Sequence, residues 1–116
     1  MGTFFYPMRI TGPDGEVSVE ALVDTGATFS SIPAEALRAI GVRPTRRVRL
    51  RLADGTSHVQ ELGSALVSVN NEADVMPVLF GEAGSPPALG ATTLEILLLG
   101  VDPVEKRLVA LEGWQA

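Results

Sequence analysis

The stretch that decides the fold is residues 21–33, "ALVDTGATFSSIP". Three apolar residues run into Asp24, and Gly26 follows two places later. On its own, Asp-Thr-Gly usually marks a turn. A surface turn is not fed by a buried strand, however, and Ala21 to Val23 read as one, so the carboxylate is expected at an interior or on the floor of a cleft. An ionised acid there is costly unless a partner or hydrogen bonds compensate. Thr25 offers a hydroxyl that can brace a loop, and Gly26 permits close approach of another backbone. The pattern is not the Asp-Lys-Thr-Gly-Thr phosphorylation loop, because Thr25 stands in the place of the lysine and the chain has no room for a nucleotide-binding domain.

Working outward, Phe4 to Ile10 reads as a strand and "GPDG" at 12–15 as a turn. Val17, Val19, Ala21 and Val23 alternate on the next strand, so a hairpin runs directly into Asp24. Downstream, "PAEALRAIG" at 33–41 predicts a short helix with proline at its opening and Gly41 as its stop. "RPTRRVRLR" at 43–51 then alternates from Arg47 to Leu52, a half-buried strand with one wet face. "ADGT" at 53–56 is a tight-turn signal, and the chain returns through Val59, Leu62, Leu66 and Val69 as a second, longer hairpin. After "NNEAD" comes a strand, "VMPVLF", whose Pro77 suggests an edge or a bulge. "GEAGSPP" is an irregular loop. "TTLEILLLG" at 92–100 predicts a second helix with Thr92 and Glu95 in capping-box spacing, and "DPVEK" turns into a last strand, "RLVAL". The segments 24–41 and 90–100 look like weak copies of one unit, and only the first carries an acid.

The 116 residues are the size of one domain, expected to span 1–116. A net charge of −5 argues against a nucleic-acid partner, which needs concentrated Lys and Arg. The arginine cluster at 43–51 has no interleaved aromatics and reads as a solvated face in preference to an anion site. Cysteine is absent, so thiolate chemistry, disulfides and cysteine metal sites are excluded, and neither a metal nor another cofactor is called for. The opening "MGTFFYPMRI" lacks a basic region followed by a long apolar segment, and "LEILLLGV" is too short to span a bilayer. No membrane partner is expected, and the cytoplasm is the default location.

Together with the hairpin tipped by "ADGT", "ALVDTGATFSSIP" and the later "ALGATTLEILL" at 88–98 closely resemble the retropepsin-like aspartic proteases, single-domain relatives of the retroviral enzymes. The resemblance covers essentially the whole chain. It implies a mainly β fold, an acid-protease half-barrel with two short helices and a flap hairpin. It also implies an aspartic endopeptidase, cleaving a protein or peptide substrate. That chemistry uses two carboxylates sharing a proton, whereas this chain holds one Asp-Thr-Gly. Asp14, Asp54 and Asp102 lie in predicted turns and Asp74 follows an Asn-Asn turn, so the second acid is expected from Asp24 of another copy in a homodimer. By the resemblance, Asp24, Thr25 and Gly26 form the catalytic loop, with Thr25 hydrogen-bonding across the twofold axis. Ala27 and Thr28 line the cleft floor, and Ala53, Asp54, Gly55 and Thr56 close over substrate as the flap.

Two positions depart from the family pattern. Retroviral relatives often carry Asp and Arg, forming an ion pair, where this chain has Thr28 and Ala91. Both partners are absent together, which removes a dimer clamp and leaves no orphaned charge. The alternative reading is a catalytically idle member of the fold that serves as a dimerisation or peptide-binding module. His58, the only histidine, is given no catalytic role, and Trp114 is expected to be a packing anchor.

Overall fold

The computed structural model describes residues 3–115. In chain order the elements are β1 (Phe5–Gly12), β2 (Gly15–Val23), β3 (Ser31–Pro33), α1 (Ala34–Ala39), β4 (Pro44–Arg51), β5 (Ser57–Val69), β6 (Glu72–Gly81), β7 (Ala88–Leu89), α2 (Ala91–Ile96), β8 (Leu99–Asp102) and β9 (Arg107–Ala110). The mainly β architecture with two short helices is the one expected from the sequence.

Seven strands form one sheet in the order β1-β2-β7-β3-β6-β5-β4, and β1 also pairs with β5 through Arg9–Ser68, Ile10–Val67 and Thr11–Leu66. The sheet therefore curls until it meets itself, and only β4 stands outside the ring. Alternation drives this closure. Met8 and Ile10 of β1, Ala21 and Val23 of β2, Val67 and Val69 of β5, and Met76 and Val78 of β6 point into one core, joined by Ile32, Leu37, Leu89 and Leu94.

Strand β5 does two jobs. Its second half, Leu62 to Val69, pairs with β6, and residues in that half also pair with β1. Its first half, Ser57 to Gln60, pairs among the described residues with β4 alone, while the Gln60 side-chain amide donates to Phe80 O of β6 at 3.3 Å. Burial follows the pairing, since Ser57, His58 and Val59 are exposed while Leu62, Ala65, Val67 and Val69 are buried. Leu66 faces solvent because the buried parity in the second half runs through 65, 67 and 69, and Val59 is exposed because it lies on the half that pairs with β4. The β4–β5 hairpin projects from the ring as a two-stranded arm, and a bulge between Pro44 and Arg46 marks its root.

The remaining expectations are adjusted locally. The Asn70-Asn71 pair takes positive φ at both residues, 53° and 66°, which makes the β5–β6 link a tight hairpin and extends β6 back to Glu72. Pro77 pairs with Ser64 of β5 where β3 has not yet reached the opposite edge of β6, so its missing N–H costs no ladder bond. Helix α2 begins at Ala91 with Gly90 as its N-cap, so Thr92 caps nothing. It ends at Ile96 because Leu98 turns to φ 56°, and Leu99 to Asp102 form a strand instead of a last helical turn. Trp114 is 99% exposed and anchors nothing within this chain.

Candidate active site

Asp24 sits one residue beyond β2, where the strand leaves the sheet. Backbone bonds clamp this exit from both sides. The Val23 N–H donates to Phe4 O, the Leu22 N–H to Pro87 O and the Asp24 N–H to Leu89 O, all at 2.9–3.0 Å. The chain then doubles back, with the Ala27 N–H reaching Asp24 O at 3.1 Å and the Gly26 N–H donating to Asp24 Oδ1 at 3.0 Å. The carboxylate is thereby aimed by its own loop, and a Cβ on Gly26 would lie 3.3 Å from that same Oδ1. Within the single chain no other backbone comes within 4 Å of that Cβ position.

The close approach falls on Gly90. A Cβ there would lie 2.6 Å from both the carbonyl carbon and oxygen of Phe29 and 2.9 Å from Ala27 O. Bringing α2 this near lets the Ala91 N–H donate to Ala27 O at 2.7 Å and the Thr92 N–H to Thr28 O at 2.9 Å. Backbone bonds thus join the two loops at the positions where relatives carry an ion pair.

Beneath them lies a buried polar cluster that the sequence reading did not single out. Ser30 and Thr93 are both fully buried, their hydroxyls are 2.5 Å apart, and the Gly90 N–H donates to Ser30 Oγ at 2.9 Å. The only signal was two hydroxyl residues inside otherwise apolar segments, "FSSIP" and "ATTLE".

Asp24, Thr25, Gly26 and Thr28 are exposed and Ala27 is half-buried, so in the single chain the acid sits on an open surface and not on an enclosed floor. The hollow beside it, about 420 Å³, is lined by Thr3, Phe4, Val23, Thr25, Val101 and Pro103 and holds no second carboxylate. Among the described residues no group of acids and histidines is placed to hold a metal ion, and no helix is long and apolar enough to cross a membrane. A larger hollow, about 680 Å³, starts at Thr25 and runs along Leu94, Leu98, Leu111 and Trp114, with Glu95 and Glu112 also in its lining.

Ala53, Asp54, Gly55 and Thr56 form the tip of the β4–β5 arm, and all four are exposed. Among the described residues no hydrogen bond joins them to the Asp24 loop. The tip is ordered from within. The Leu52 N–H donates to Thr56 O, the Gly55 N–H to Leu52 O, and Gly55 takes φ 89°. Asp54 Oδ1 accepts the Thr56 hydroxyl at 2.6 Å and its N–H at 2.9 Å, and these two bonds hold the Asp54 carboxyl below the usual carboxylate range.

The sequence matches the aspartyl protease family model over residues 7–102. No curated protein sequence matches the chain. Among solved structures it is similar to the simian foamy virus protease, at 19% identity and a TM-score of 0.57, over 78% of this chain and 90% of that one. It is also similar to the retroviral protease-like domain of Ddi1 from Leishmania major, at 20% identity and a TM-score of 0.60, over 95% of this chain and 89% of that one. These likenesses are of fold.

Proposed function

The chain belongs to the aspartyl protease family, and from that premise we propose that it is an endopeptidase that works as a homodimer. One observation carries the reading. A single Asp-Thr-Gly is held in a pre-aimed loop, open on one side, next to a hollow lined mainly by apolar residues, and among the described residues the Asp24 carboxyl bonds only to the Gly26 N–H and to no second acid. Ile96, Leu98, Leu111 and Trp114 are large apolar residues left exposed on the α2 to C-terminal side of the molecule. Apolar surface of this kind beside an incomplete site is what a second copy would cover. A twofold axis past Thr25 then brings Asp24 of each copy together.

In that arrangement the two carboxyls share one proton, because like charges this close cannot both ionise. The ionised carboxylate takes a proton from a water as the water oxygen bonds to the scissile carbonyl carbon. The other carboxyl gives its proton to the carbonyl oxygen. Collapse of the tetrahedral adduct breaks the C–N bond, with a proton passing to the leaving amine. The Gly26 N–H orients the Asp24 carboxyl, and Thr25, Ala27 and Thr28 border the place where an extended peptide would lie. The arm tip at Ala53 to Thr56 is suited to close over that peptide, since only its root is fixed to the ring.

The test is subunit mixing. Asp24→Asn chains keep the loop's hydrogen-bond geometry but cannot accept the proton. Added in equal amount to wild type, with exchange shown independently, they should lower activity per wild-type chain to about half, because only about a quarter of dimers then carry two acids. Activity per wild-type chain that stays constant would mean each copy works alone.

A further inference from the structure

Five of the nine basic residues fall within residues 43–51, a segment with no acid. The formal net charge is −5, so the rest of the chain carries −10. Arg43, Arg46, Arg47, Arg49 and Arg51 are all exposed. Among the described residues the ion pairs are Arg38–Glu61 and Arg107–Asp102, so none of these five arginines is matched by a carboxylate. Arg51 alone has another partner, donating to Gly55 O at 3.1 Å.

Their placement is ordered. Arg47, Arg49 and Arg51 occupy alternate positions of β4 and so share one face of the arm, opposite Glu61, Val59 and Ser57 of β5. Glu61 is already engaged by Arg38 at 3.6 Å, and Val59 is 53% exposed. Strand β4 is also the last strand of the sheet, and among the described residues its outer edge pairs with nothing. An open edge accepts another extended segment through its backbone N–H and C=O groups. Here charge decides which segment. A second β4 would set arginine stripe against arginine stripe, and like charges directly opposite are destabilising. A strand with acids at every second residue would set a carboxylate beside each of Arg47, Arg49 and Arg51, over a run of about 13 Å. Guanidinium groups suit carboxylates because they bind them in a bidentate fork. A long polyanion fits less well, since beyond the stripe it meets the surplus negative charge of the rest of the chain.

We infer that the free edge of β4 binds an extended acidic polypeptide segment, with acids at alternate positions, and so recruits acidic proteins to the arm over the cleft. That use as a recruitment site rests on the endopeptidase reading. The binding itself does not.

The experiment measures binding with the Asp24→Asn chain, so that no cleavage intervenes. The probes are labelled eight-residue peptides followed by fluorescence anisotropy: one with Glu alternating with Thr, one of identical composition with the Glu residues in a block, and one with Lys replacing Glu. The alternating peptide should bind about tenfold or more tightly than the blocked isomer, and the Lys peptide should not bind. Binding should weaken as salt screens the charges. Arg49→Glu, at the centre of the stripe, should weaken it at least about tenfold. Should that variant misfold by circular dichroism, the Glu-to-Lys peptide comparison on the unaltered arm decides. Equal binding of the two isomers, binding indifferent to Arg49→Glu in a folded variant, or tighter binding of a single-stranded oligonucleotide of equal charge would overturn the inference. Peptide binding in a protein that cleaves nothing as wild type would leave it standing while removing the endopeptidase reading.

Discussion

Removing the Ser30 hydroxyl should do more damage than removing its partner's, and removing both should do less damage than removing Ser30's alone. Ser30→Ala orphans two buried groups at once, the Gly90 N–H and the Thr93 hydroxyl. At about 1–3 kcal/mol for each unsatisfied buried group, the cost is about 2–6 kcal/mol. Thr93→Val leaves the Gly90 bond in place and orphans only the Ser30 hydroxyl, for about 1–3 kcal/mol. In the double variant only the Gly90 N–H lacks a partner, so the loss returns to about 1–3 kcal/mol and the two single effects do not add. For a chain of this size each kcal/mol is worth roughly 4 °C in Tm. Urea unfolding followed by far-ultraviolet circular dichroism would give the three values, with protomer concentration held constant because association would otherwise contribute. Because the cluster ties α2 to the loop that follows Asp24, peptidase activity should fall in the same order. Additive single effects, or a Thr93→Val loss larger than that of Ser30→Ala, would refute the reasoning.

Gly90→Ala should cost about 1–3 kcal/mol, because the new Cβ meets Phe29 and Ala27 backbone that cannot step aside, and a melting curve unchanged from wild type would contradict the packing. Leu111→Glu, which sets a charge on the exposed apolar side, should shift sedimentation towards monomer while leaving the circular dichroism spectrum intact; an undiminished dimer would move the interface elsewhere. The Asp54 carboxyl should titrate below 3.8, as read from its NMR chemical shift. Its folded-state pKa is depressed, so the order it lends the arm tip is complete above about pH 4 and is lost as pH falls through the lower folded value. A midpoint at or above 3.8 would show that the Thr56 bonds do not form in solution.

Much of the fold was legible because it rests on local signals. Val17 to Val23 alternate towards Asp24, Asp54-Gly55 turns the arm, and proline and glycine bracket α1 at Pro33 and Gly41. What escaped was set by contacts far apart in sequence. Thr92 and Glu95 have the spacing of a capping box, yet the approach of Gly90 to Phe29 starts the helix one residue earlier and draws the Thr92 N–H to Thr28 O instead. Leu97 to Gly100 read as helix from their apolar run, but pairing of Leu99 with Ala110 and Gly100 with Val109 claims them for a hairpin. Neither outcome is written in a window of a few residues.

The exposure of Asp24 has the same origin at a higher level. The apolar run before it is buried as expected, since Ala21 and Val23 sit in the core, but the strand delivers the carboxylate to the rim of one chain. A single copy supplies the loop, its aim and one border of a cleft. The backbone ties from Ala91 to Ala27 and from Thr92 to Thr28 lie within the chain, so the loop is shaped before any partner arrives. With Thr28 and Ala91 uncharged, association would fall to apolar contacts such as those of Leu98, Leu111 and Trp114. On the homodimer proposal, the sequence carries the acid and its geometry in one segment and its burial in another: a carboxylate that costs little to expose in the monomer would acquire a low-dielectric setting, and a shared proton, where two such surfaces meet.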